Sequence, residues 1–149
     1  VVLSRSDGTY QSDYSAGTDV VSPPRQQPVR RHIDLDVYRP AFDLAMRFFE
    51  VSKAFPSEEM SSLTDQGRRA SRSVCANIAE AWRKRRSPVA FVAKLSDAEG
   101  EAAESQAWIQ FAVECRYLDR AIGREFSSGY DQVIGMLVRM ISHPESWNL

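Results

Sequence analysis

Residues 63–86 constrain the fold of this chain more than any other stretch. Leu63, Gly67, Ala70, Val74, Asn77, Ile78 and Ala81 recur at alternating three- and four-residue steps. That spacing lays side chains along one face of an α-helix. Several of them are small, so the helix can pack closely on its neighbours. Gly67 in mid-helix costs about 1 kcal/mol relative to alanine, and close approach of another backbone is the expected compensation. Basic clusters bracket the stripe, with Arg68, Arg69 and Arg72 at one end and Arg83, Lys84, Arg85 and Arg86 at the other.

Three further segments carry helical spacing. The first runs from about Pro40 to Ala54, with Tyr38, Phe42, Ala45, Phe48/Phe49 and Ser52 along its apolar face. Phe55-Pro56 ends it, because a residue before proline is steered out of the α region. The second helix is expected to begin just after, with Ser57 as its cap and Glu58 and Glu59 on the positive end of the helix dipole, and to continue to about Arg85. Ser87 and Pro88 open the third. Phe91, Leu95, Ala98, Ala102, Ser105, Ile109 and Ala112 carry it to about Cys115. The fourth runs from about Asp119 or Ser127 to Ser142, with Phe126, Tyr130, Val133/Ile134, Leu137 and Met140/Ile141 as its stripe and Gly129 and Gly135 as weak points. No period-two pattern persists. Short connections make neighbouring helices antiparallel, so the expected fold is all-α: an up-down-up-down four-helix bundle. Residues 1–34 are rich in Ser, Asp, Gly, Thr and Gln and are interrupted by Pro23, Pro24 and Pro28. They read as a disordered tail ahead of a bundle domain at 35–149.

Composition limits the chemistry. A formal net charge of -1 gives no global pull toward nucleic acid. Any such pull comes from local asymmetry: Gln66 to Arg86 holds seven basic residues and one acid, Glu80. Asp97, Glu99, Glu101 and Glu104 then form an acidic stretch relieved by Lys94. Cys75 and Cys115 fall inside helical patterns without CxxC spacing or paired histidines, so they read as reduced, partly buried thiols, with no metal site. No apolar run approaches the ~20 residues of a membrane span, and the first residues lack a signal-peptide core. The expected compartment is the cytoplasm, with no membrane partner. His32 and His143 stand apart from any cluster, Glu-x-x-His pairs are missing, and there is neither a phosphate-cradling glycine loop nor a nucleophile elbow. The chain is therefore expected to be no enzyme and to need no cofactor.

A longer pattern carries a resemblance. Phe55-Pro56-x-x-Glu59-x-x-x-Leu63-x-x-Gln66-x-Arg68-Arg69-Ala70-x-x-Ser73-Val74-x-x-Asn77-Ile78-Ala79-Glu80 resembles the core motif of the bacterial four-helix bundle family also called the S23 or 23S rRNA-intervening-sequence protein family. Asp36-Val37-Tyr38-x-x-Ala41 is similar to that family's opening, and Lys94-Leu95-Ser96-Asp97-Ala98-Glu99-Gly100-Glu101-Ala102-Ala103-Glu104 followed by Trp108 to its third helix. Tyr117-Leu118 resembles the turn that follows, and Met136-Leu137-x-x-Met140-Ile141 the last helix; the likeness covers Leu35 to about Trp147. Three positions depart from the pattern. Ala81 and Arg116 stand where glycine is usual, and Gly67 where a larger apolar residue is usual. The resemblance implies a compact bundle and homo-oligomerisation, with pentameric rings among relatives. Some relatives are encoded within intervening sequences of 23S rRNA genes. Others are accessory variability determinants of diversity-generating retroelements, which bind a reverse transcriptase and nucleic acid.

The candidate residues admit two readings each. Arg68, Arg69, Arg72, Arg83, Lys84, Arg85 and Arg86 can form a surface that contacts RNA or DNA phosphates. They can instead complement the helix dipole or pair with acids of a neighbouring helix or subunit, the acidic third-helix stretch included. Gln66, Asn77 and Glu80 read as a structural polar core, with Asn77 fixing helix register, or as a polar patch with a function. Glu80 can also pair with Lys84 at i,i+4. Trp82 reads as a core or subunit anchor, with stacking on a base as the sharper alternative. At the level of function, the first expectation is an oligomeric accessory module that binds RNA or DNA. The rival is a protein–protein adaptor, for example of a reverse transcriptase, with no nucleic-acid contact.

Overall fold

A computed structural model describes residues 28–148 of the chain. Four helices account for most of it: α1 (Tyr38–Ser52), α2 (Asp65–Lys84), α3 (Pro88–Glu114) and α4 (Arg120–Ser142). No strand occurs among the described residues. Packing runs chiefly between sequence neighbours, and α4 closes back on α1. The result is the expected all-α four-helix bundle. Most of the expected tail lies outside the described residues. Its last part, 28–34, leads into the bundle through a 3-10 turn at His32–Asp34. There the Asp34 carboxylate accepts from the Arg30 and Arg31 amides at 3.1 and 2.9 Å.

The helix ends follow local chemistry where that chemistry is local. The Ser87 hydroxyl accepts from the Ala90 amide at 3.3 Å and Pro88 opens the first turn of α3. α4 takes the earlier of its two expected starts. Gly129 has a packing reason, because it makes room for Leu44: an added Cβ would stand 2.8 Å from the leucine Cδ2. The α3–α4 turn departs from expectation less than a non-glycine residue would suggest. Arg116 takes the left-handed conformation, φ 62°, that glycine favours. The Tyr117 amide then reaches back to the Ala112 carbonyl at 2.8 Å and the Arg116 amide to that of Val113 at 2.9 Å, satisfying two terminal carbonyls.

The start of α2 corrects the sequence reading. Ser57 does not cap it; Ser57–Glu59 form a 3-10 turn and Met60–Thr64 a π-helical segment before the α-helix proper. The Glu59 carboxylate holds this widened turn. It accepts from the Leu63 amide (3.4 Å), the Ser62 hydroxyl (2.5 Å) and the Tyr117 hydroxyl (3.1 Å) across the bundle. Gly67 is corrected as well. No backbone fills its notch; the Phe48 ring does, with Cε1 2.5 Å from where a Cβ would stand. The expected α1 face is kept at Ala45, Phe48 and Ser52 and differs at Phe42. Ala41, Ala45, Phe48 and Ser52 turn inward, while Phe42 is left 41 % exposed.

The core centres on Phe48, Phe91, Phe126 and Tyr130 with Ile78, Leu95, Ile109 and Leu137. Between α2 and α3 the fillers are small. Ala70 and Ala81 on α2, and Ala98, Ala102 and Ala112 on α3, are at most 2 % exposed. These two helices make the most extensive backbone approach in the bundle, which alanine permits because it presents only a methyl group.

Candidate nucleic-acid interface

Arg68, Arg72 and Arg83 lie at i, i+4 and i+15 on α2, so one helix face carries them over about 22 Å at 1.5 Å per residue. Arg72 and Arg83 are exposed and Arg68 half-buried; Arg69, also exposed, flanks them. The Arg68 Nε donates to the buried Ser52 hydroxyl at 2.9 Å, which fixes its stem against α1. Its guanidinium sits over the Phe49 ring at 4.9 Å, and that of Arg72 at 5.7 Å. The Lys53 ammonium approaches the same ring at 4.7 Å. Three cations thus gather on one phenyl group, whose negative face attracts them. Lys53 is shared with Glu50 at 2.9 Å.

A second station forms where α2 ends. Trp82 is buried, and its indole N–H donates to the Arg30 carbonyl at 3.4 Å, tying the incoming chain to the helix end. The Arg85 guanidinium lies over the indole at 3.7 Å and donates to the Trp82 carbonyl at 2.6 Å. Burial first, then the charges of Arg83 and Arg86, press Arg85 below its usual pKa; a guanidinium so placed is still cationic at neutral pH. Arg83 and Lys84 also complement the negative end of the α2 dipole.

Several acids near these arginines are engaged elsewhere. Glu80 pairs with Lys84 (2.9 Å) and Lys94 (3.4 Å), and Asp97 with Lys94 (3.3 Å). Hydrogen bonding by Lys84 first, then Lys94, holds the Glu80 carboxyl below its ordinary range. Glu104 accepts from the Trp108 indole at 3.1 Å. Burial and then Glu104 raise Glu101, with Arg69 opposing, but Arg69 comes within no ion-pair distance. Among the described residues, none of Arg68, Arg69, Arg72, Arg83, Arg85 and Arg86 forms an ion pair; Lys84 alone of the seven candidates does.

The expected polar core does not assemble. Glu80 is a surface residue, its side chain 46 % exposed, because lysines on two helices draw it outward. Gln66 and Asn77 are half-buried. They are separated by three turns of helix, and no hydrogen bond joins the trio among the described residues. Gln66 instead borders a shallow groove with Leu63, Trp108 and Phe111. Cys75 is buried, which pushes its thiol up to about 11, whereas Cys115 is exposed rather than half-buried. Among the described residues no group of three or more His, Cys, Asp or Glu is placed to hold a metal ion. No described helix is long and apolar enough to cross a membrane.

Sequence reasoning missed Phe49, Ser52 and Lys53 as partners of the arginines. Phe49 and Lys53 are spaced i,i+4 beside the α1 stripe, which signals a cation–aromatic pair, but their meeting with α2 depends on how Phe48 docks over Gly67. Comparison with known proteins adds the following. The family model described as 23S rRNA-intervening sequence protein matches residues 33–139. A solved structure from Bacteroides thetaiotaomicron, of a protein with unknown function from the S23 ribosomal protein family, is similar in fold with a TM-score of 0.64. It is 24 % identical and the match covers 71 % of this chain and 95 % of that one. No curated protein matches the chain.

Proposed function

The chain belongs to the 23S rRNA-intervening sequence protein family, and on that premise we propose that it is a non-catalytic accessory module that binds RNA or DNA through the basic surface of α2. The observation that carries this reading is the set of unspent guanidinium groups. Six arginines lie on or just after one helix, none ion-paired among the described residues. Three are backed by aromatic rings at 3.7, 4.9 and 5.7 Å, which hold them in place without neutralising them. Phosphates satisfy such groups, and their counterions are released in the process. Homo-oligomerisation, in a pentameric ring as the family resemblance implies, would multiply the surface and hence avidity. The cytoplasm is where we place this activity.

Affinity for an oligonucleotide of mixed sequence, measured across a salt series, tests the reading. Binding should weaken linearly on a log–log scale, and joint replacement of Arg69, Arg72 and Arg83 by alanine should lower the slope by about three. No retention of nucleic acid at low salt rejects it. A second reading, a protein–protein adaptor such as a reverse-transcriptase partner, is favoured by the exposure of Phe111 (58 %), which lines the groove with Trp108. Alanine at Phe111 would then abolish partner capture and leave nucleic-acid binding untouched.

A further inference from the structure

The two faces of the seam between α1 and α2 differ in chemistry. On α1, Tyr38, Phe42 and Phe49 lie at i, i+4 and i+11, one helix face. The Tyr38 and Phe42 rings stack with centroids 6.1 Å apart and an interplanar angle of 23°, and His32 packs edge-on to Tyr38 at 4.9 Å. On α2, Arg68, Arg72 and Arg83 run alongside, and two of them reach across to Phe49. Ala76 and Ala79 lie between the two arginine groups, so no bulky side chain of α2 blocks the middle of the row. Phe42 has no buried role to explain it at 41 % exposure, and Met46 one turn on is 45 % exposed. Two of the neighbouring acids are engaged: Asp43 with Arg39 at 2.9 Å and Glu50 with Lys53 at 2.9 Å.

We propose that this seam takes a single strand of nucleic acid, its bases on Tyr38 and Phe42 of α1 and its phosphates on the arginine row of α2, with Phe49 holding Arg68 and Arg72 in place. The inference rests on the nucleic-acid reading above and names the form of the ligand and where its bases lie. Stacking needs an open π-face, which an unpaired base offers to a side chain and a base inside a duplex does not. A basic track lined with aromatic rings therefore discriminates by strandedness, whereas a track of arginines alone binds either form through the phosphates. RNA and DNA strands share this chemistry.

Fluorescence anisotropy at low salt with a labelled twelve-residue oligothymidylate, and with a duplex of equal length, tests it on the full chain. The strand should bind the more tightly. Phe42→Ala should weaken the strand by about tenfold, the loss of one stacked base, with the duplex unchanged. Phe42→Trp should retain strand binding. Phe42 lies at the edge of the bundle, so both variants should keep a cooperative thermal transition, with Phe42→Ala lowered slightly by the lost stack on Tyr38, which checks that the fold is kept. If strand and duplex bind alike, and Phe42→Ala moves neither while Arg72→Ala with Arg83→Ala weakens both, the seam proposal is overturned and the broader reading stands. If neither nucleic acid binds, both are overturned.

Discussion

α2 takes part in two seams of opposite character. Toward α3 it presents Ala70, Val74 and Ala81, each at most 2 % exposed, and meets a row of alanines. Toward α1 it presents Arg68 and Arg72, which meet a half-buried ring and leave charge unpaired. The difference teaches how one helix can specify a fold and still carry a surface. The small-residue side gains stability through close packing, where every methyl group is felt. The arginine side gives up part of that packing and keeps groups that solvent, or a polyanion, can reach.

Three substitutions probe the contrast. The largest effect belongs to the closed seam. Ala102→Leu inserts three carbons where no space exists and should destabilise the fold by about 1–3 kcal/mol or more, read as a lower urea midpoint; an unchanged midpoint would show that the α2–α3 approach is looser than described. Arg68→Ala on the open seam should cost about 1 kcal/mol through the lost hydrogen bond to Ser52. Ser52 keeps its bond to the Phe49 carbonyl at 3.0 Å, so no buried hydroxyl is stranded. A loss equal to that of Ala102→Leu would erase the distinction between the seams.

The third test is one of pH. The Glu59 carboxyl is held below its usual 4.5 by hydrogen bonds from Ser62, Tyr117 and the Leu63 amide. Its folded pKa is lower than its unfolded one, so the contribution is present above about pH 4.5 and is lost as pH falls through the folded value. Glu59→Gln should flatten the fall in stability on that acid limb and lower the urea midpoint at neutral pH, where the wild-type carboxylate contributes. An acid limb identical to that of the wild type would show that this carboxylate does not pin the π-helical start of α2.

Much of the bundle is legible from periodicity because its signals are local. Ser87-Pro88 sets the start of α3, and the i,i+3/i+4 stripes give the four helices and their order. What escaped depends on partners distant in sequence. The π segment is held by Tyr117, 58 residues beyond Glu59. Gly67 reads as a place for a backbone until the Phe48 ring is seen in it. Asn77 sits on the apolar stripe by count, yet the helix turns it to the edge of the core, and Glu80 follows lysines outward. The basic residues were legible as a list; that the Phe49 ring backs Arg68 and Arg72 was not, since it lies on another helix, whereas Trp82 and Arg85 are three residues apart and their pairing was open to local reading.

Photocrosslinking tests the central claim most directly. A single-stranded oligonucleotide carrying 5-iodouridine, irradiated in complex with the full chain and digested for mass spectrometry, reports which side chains touch its bases. The account predicts adducts on Tyr38 or Phe42, on the open seam. Adducts confined to Trp108 and Phe111, on the opposite groove, would contradict it.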